Sequence, residues 1–68
     1  MTVVSMENAV LLEVKDDYIS YTRRCDTCGW SEGYDSGTQL MPEQQSGPIG
    51  YFRCGNCDVD RDVIVHLG

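Results

Sequence analysis

Cys25-Asp26-Thr27-Cys28 and Cys54-Gly55-Asn56-Cys57 decide how this chain folds. Each is a cysteine pair with two residues between, and the second repeats the first after 25 intervening residues, Gly29 to Arg53. Such a pair wraps its backbone around one ion, so that two sulfurs reach it from a tight turn whose amides point at the sulfurs. Two turns complete a tetrahedron, and four thiolates at about 2.3 Å suit zinc, which has no redox chemistry and asks only for four ligands. A closed site of this kind leaves no position for a substrate or an activated water. The metal, with Cys25, Cys28, Cys54 and Cys57 as its ligands, is therefore expected to be structural, and no enzymatic activity is expected.

Disulfides are the competing use of four cysteines, with three connectivities and an oxidising compartment. The N-terminus argues against that compartment: it has no basic region, and its longest apolar run is Ala9 to Leu12. A cytoplasmic chain without a membrane segment is expected. A thioredoxin-like redox pair needs one C-x-x-C beside a βαβ unit that 68 residues do not hold, and it leaves the second pair unexplained.

A chain of this length is expected to form a single domain over residues 1–68, and it buries too little apolar surface to be stable without a staple. The metal is that staple. Eleven Asp and Glu against five Lys and Arg give a formal charge of −6, and four thiolates with one zinc ion bring it to about −8. That balance opposes a phosphate backbone unless basic residues gather locally. Arg23 and Arg24 precede the first pair and Arg53 precedes the second, so the arginines do gather at the metal end. They either offset the charge of the centre or, with Trp30, contact a partner.

The remaining chain reads as β-structure. Residues 1–8 carry little pattern and are expected to be disordered, with a short edge strand at Thr2-Val3-Val4, broken by Met6-Glu7-Asn8, as the alternative. Val10, Leu12 and Val14 alternate with Leu11, Glu13 and Lys15, which marks a strand, with a helix as the alternative. Asp16-Asp17 then forms a two-residue turn into Tyr18–Arg24, with Val14 facing Ile19 and Leu12 facing Tyr21. Gly29 follows the first cysteine pair, where positive φ lets the turn curl back. Residues 33–50 hold Gly33, Gly37, Pro42, Gly47, Pro48 and Gly50 and are expected to be a long loop, either a disordered insertion or a binding loop that carries Leu40 and Met41 outward. Ile49–Arg53 leads into the second pair. Val59–Leu67 leads away from it, with Val59, Arg61, Val63, Val65 and Leu67 on one face and His66 on the other.

Strand, C-x-x-C, strand, long loop, strand, C-x-x-C, strand resembles the zinc ribbon, over about residues 18 to 67. The resemblance implies a small metal-stabilised all-β fold, two cysteine knuckles and three to five antiparallel strands. It also implies docking to a protein partner in transcription or translation machinery, with nucleic acid as the second class of ligand. The Asp-Glu dipeptide of the elongation-factor type does not occur here, so its activity does not carry over. Cys25-Asp26-Thr27-Cys28-Gly29-Trp30 is also similar to the first knuckle of rubredoxin, an iron electron carrier. Gly55 and Asp58 depart from that family's second knuckle, and zinc is favoured over iron. Arg23, Arg24, Trp30 and Arg53 are the candidate partner contacts.

Overall fold

A computed structural model describes residues 3–68. It contains six strands: β1 (Val3–Glu7), β2 (Ala9–Lys15), β3 (Tyr18–Arg24), β4 (Ser31–Gln39), β5 (Gly47–Arg53) and β6 (Asp60–Leu67). They form two antiparallel three-stranded sheets in the orders β1-β6-β5 and β2-β3-β4. The all-β expectation holds, but six strands replace the expected three to five. No helix among the described residues is long and apolar enough to cross a membrane.

Asn8 alone separates β1 from β2, so one run of chain lies along the edge of both sheets. Its φ of 58° turns the chain from one sheet to the other, a conformation that asparagine accepts more readily than most residues. The expectation of disorder over residues 1–8 is thus corrected for residues 3–7, which pair with β6; Met1 and Thr2 lie outside the described residues.

The β2–β3 hairpin turns at Asp16-Asp17, and Val14 faces Ile19 as the alternation predicts. Leu12 does not face Tyr21. A bulge between Leu11 and Glu13 places Leu11 opposite Tyr21 and leaves Leu12 as the extra residue. Leu11 consequently packs against the core, while Leu12 stays half exposed. The unbroken alternation of Val10, Leu12 and Val14 gave no sign of the insertion, because a bulge reverses which face the following residues occupy.

The long loop expected at residues 33–50 is replaced by two strands. β4 occupies Ser31–Gln39 and β5 begins at Gly47, so only residues 40–46 connect them. Glycine weakens a strand through its own propensity, but an edge strand with a partner ladder tolerates it. Gly37 has a packing reason as well. The Tyr18 ring lies across it, and a Cβ there would overlap the Tyr18 hydroxyl. Leu40 points inward and is buried, against the binding-loop alternative that carries it outward, whereas Met41 is exposed.

The core lies between the sheets, built from Ile19, Tyr21, Leu40, Phe52, Val63 and Val65 together with Cys25 and Cys54. Val63 and Val65 occupy the inward face of β6 as their alternation requires. Val59 falls outside that strand and is exposed. Cys25 and Cys54 have no exposed surface, Cys57 is half-buried and Cys28 is exposed, so the cysteine cluster lies at the edge of the core.

Candidate metal centre

The two cysteine turns have the same backbone frame. In the first, the Cys25 amide donates to the Trp30 carbonyl at 2.7 Å and the Gly29 amide donates to the Cys25 carbonyl at 2.7 Å. In the second, the Cys54 amide donates to the Val59 carbonyl at 3.0 Å and the Asp58 amide to the Cys54 carbonyl at 2.9 Å. Gly29 and Asp58 are therefore equivalent, and both have positive φ, 83° and 59°. Aspartate tolerates that region, and here its carboxylate also accepts a hydrogen bond from Arg53 Nε at 3.0 Å. The departure from glycine at position 58 is absorbed without altering the turn, so that position does not distinguish zinc from iron.

The frame brings all four sulfurs together. Every Sγ of Cys25, Cys28, Cys54 and Cys57 lies within 4.8 Å of the others, with Cys25 to Cys57 at 4.0 Å and Cys28 to Cys54 at 3.5 Å. A tetrahedron with metal–sulfur bonds of about 2.3 Å has edges of about 3.8 Å, which these two separations bracket. They are far longer than the roughly 2.05 Å of a disulfide bond. The donor set and its spacing fit one tetrahedral, thiolate-preferring ion.

The thiols themselves ask for a cation. Burial raises the Cys25 pKa, but the Cys28 and Thr27 amides aimed at its sulfur outweigh that and bring it to about 6. The Trp30 amide and the Asn56 side chain lower Cys28. The charge must stop somewhere: contact with Cys28 and then burial push Cys57 up to about 12. A bound metal ion takes the place of the proton that Cys57 otherwise keeps. Zinc affinity is accordingly expected to fall steeply as pH drops from 8 toward 5, because protons compete at each ligand; competition with a chromophoric chelator at each pH measures it. An affinity independent of pH across that range would contradict four-thiolate ligation.

Asn8 ties the sheet crossing to the first turn. Its amide donates to Asp26 Oδ2 at 2.8 Å, the Asp26 amide donates back to Asn8 Oδ1 at 3.1 Å, and its side-chain amide donates to the Asp62 carbonyl at 2.8 Å. Nothing in the local sequence pattern around Asn8 signalled this, since its partners lie 18 and 54 residues away.

The sequence-predicted partner residues have separate places. Trp30 is half-buried and stacks on Phe52, ring centroids 6.1 Å apart. It also covers Gly55, where a Cβ would come within 2.9 Å of the indole. Arg23 reaches from β3 to Glu32 Oε2 at 2.7 Å, with Nη1 toward the Tyr51 carbonyl and Nη2 toward the Tyr34 hydroxyl. Arg24 sits 3.9 Å from Asp26, and Arg53 pairs with Asp58 at 2.9 Å and Asp60 at 3.7 Å. The arginine near the sulfurs is Arg61, whose pKa is raised by Cys57 and then Cys25, although its buried Nε has no hydrogen-bond partner. Reasoning from adjacency in sequence singled out the arginines next to the cysteines; strand register brings in the one four residues beyond.

No family model, curated protein or solved structure matches the chain.

Proposed function

We propose that this chain is a small acidic zinc-ribbon module, braced by one structural zinc ion, that docks to a protein partner in transcription or translation machinery. The observation that carries the metal part is the convergence of four sulfurs from two matching turns at the edge of the core. Four ligands of one kind, held by backbone frames with Cys25 and Cys54 buried, suit a structural ion rather than a reacting one.

Protein is favoured over nucleic acid by how the arginines are engaged. Arg23, Arg24 and Arg53 are each set against carboxylates, so they do not pool into a cationic surface on a chain of charge −6. Tyr34 and Tyr51 flank Arg23 and are exposed, at 57% and 71%. Tyrosine and arginine are the residue types over-represented among interface hot spots. Trp30, stacked on Phe52, serves packing more than contact.

The test uses the zinc-loaded chain as bait in its native cell extract, followed by binding measurements with the purified partner. Tyr51→Ser and Arg23→Ala are expected to leave zinc content unchanged and to weaken partner binding by roughly 1 to 4 kcal/mol. A ligand that proves to be DNA or RNA, with affinity falling steeply with salt, would overturn the protein reading and favour the second class.

A further inference from the structure

The run from Val3 to Lys15 borders both sheets, β1 pairing only with β6 and β2 only with β3. A strand at an edge presents unpaired amides and carbonyls to whatever approaches it, and glycine or proline in such a strand weakens the invitation. β5 is blunted in this way by Gly47, Pro48 and Gly50, and β4 by Gly33 and Gly37. β2 is not. It holds neither residue type and is apolar everywhere except at Glu13 and Lys15. Leu12 and Val14 are each 49% exposed, which is a large apolar area to leave in water on a chain this small. At the turn of the same hairpin, the Leu40 amide donates to the Asp17 carbonyl at 2.7 Å and so brings Met41, 53% exposed, to the same end.

That end also carries negative charge that the protein does not neutralise. Glu13, Asp16 and Asp17 enter no ion pair among the described residues, whereas Asp26, Glu32, Asp58 and Asp60, toward the cysteine turns, are each set against an arginine. The two kinds of side chain are sorted by the pleat. Val14 pairs with the buried Ile19 and shares its face, while Glu13 pairs with Ser20 and takes the other face.

We propose that the free edge of β2, from Leu12 to the Asp16-Asp17 turn with Met41 beside it, docks a segment of a partner protein in which lysine or arginine alternates with apolar side chains. Such a segment, extended along the edge, matches β2 face for face: its apolar side chains cover Leu12, Val14 and Met41, and its cations meet Glu13, Asp16 and Asp17. Backbone pairing with the residues beyond the bulge supplies affinity, and the charges supply selection. A second copy of this chain fits poorly. It brings the same carboxylates and a further −6 to the edge, and the bulge at Leu12 breaks the flat ladder that copy-to-copy pairing needs. The surface is on the opposite edge of the sheets from Tyr34 of β4 and Tyr51 of β5, so it extends the protein-docking reading to a second contact.

The experiment titrates the zinc-loaded chain with short synthetic peptides and follows its amide resonances. One peptide alternates lysine with valine, a second lysine with serine, and a third glutamate with valine. Resonances of residues 12–17 and of Met41 are expected to move with the lysine–valine peptide and much less with the others. Leu12→Ser is expected to weaken that binding about 5- to 10-fold, and Asp16→Asn with Asp17→Asn about 2- to 5-fold for each charge, zinc content being unchanged. Asparagine suits the turn, because it accepts the φ of 55° that Asp16 adopts. No movement with the lysine–valine peptide, movement confined to the surroundings of Tyr34 and Tyr51, or equal affinity for the lysine–serine peptide would each overturn the proposal. A wild-type chain that sediments as a dimer, and returns to monomer with Leu12→Ser, would also overturn it by giving the edge to a second copy. If Leu12→Ser does not fold, the double asparagine variant decides: unchanged affinity for the lysine–valine peptide overturns the proposal, and weakened affinity supports it.

Discussion

Cys54→Ser, or removal of metal by a strong chelator, is expected to unfold the whole chain. Cys25 and Cys54 have no exposed surface and sit among Ile19, Tyr21, Phe52 and Val63, so the site occupies the position where a larger domain would place aliphatic side chains. Without the ion, the cluster becomes four polarisable groups pressed together, with Cys25 tending to ionise and Cys57 resisting it. Structural zinc in small domains binds with apparent free energies of about 10 to 16 kcal/mol, and this is folding free energy. Whole domains have a net stability of about 5 to 15 kcal/mol. The metal contribution therefore matches or exceeds the margin of the fold.

The measurement is metal content of the purified chain, followed by circular dichroism and amide proton dispersion before and after chelation. One zinc per chain is expected, with loss of dispersion once it is removed and recovery when it is restored. A Cys54→Ser variant that keeps a native spectrum would refute the claim. A red protein would instead assign ferric iron, whose thiolate complexes absorb in the visible, while zinc leaves the solution colourless. The sulfur geometry alone accommodates either ion.

The parts of the fold legible in the sequence were those governed by short-range rules. Cys-x-x-Cys turns have one way to close around an ion, and Gly29 supplied the positive φ that the first turn needs. The Asp16-Asp17 hairpin followed from loop length, and the inward placement of Val63 and Val65 followed from alternation. The failures have different physical origins. β4 was hidden because Gly33 and Gly37 look like breakers, yet the ladder from β3 supplies hydrogen bonds whatever the side chains prefer. The Leu11–Glu13 bulge was hidden because one inserted residue shifts the pairing while leaving the alternation of residue types along the strand unbroken. Arg61 was grouped with the apolar face of β6 but not with the sulfurs, since that proximity exists only once β6 has paired with β5 beside the second turn.

Phe52→Ala is expected to carry the largest cost of any substitution outside the cysteines. Phe52 is 4% exposed and touches both structural systems at once: it stacks on Trp30, which covers the second cysteine turn, and it faces Arg61 across the ladder. Truncating a buried phenylalanine typically costs about 3 to 5 kcal/mol, part of it lost transfer energy and part the cavity left behind. In a domain with this few buried side chains, the cavity has little aliphatic mass to collapse into it. Trp30→Ala should cost less, because the indole is only half-buried, but it opens the face of Gly55 to water. Both variants are expected to bind zinc, with lower thermal midpoints in the order wild type, Trp30→Ala, Phe52→Ala, read from melts of the zinc-loaded chains. Faster transfer of zinc to a chelator should follow the same order, since opening of the fold and exposure of the sulfurs are one event in this core. Should Phe52→Ala melt with wild type while Trp30→Ala collapses, the indole rather than the phenyl ring closes the core, and the sheet-to-sheet contact through Phe52 is not what holds the metal end together.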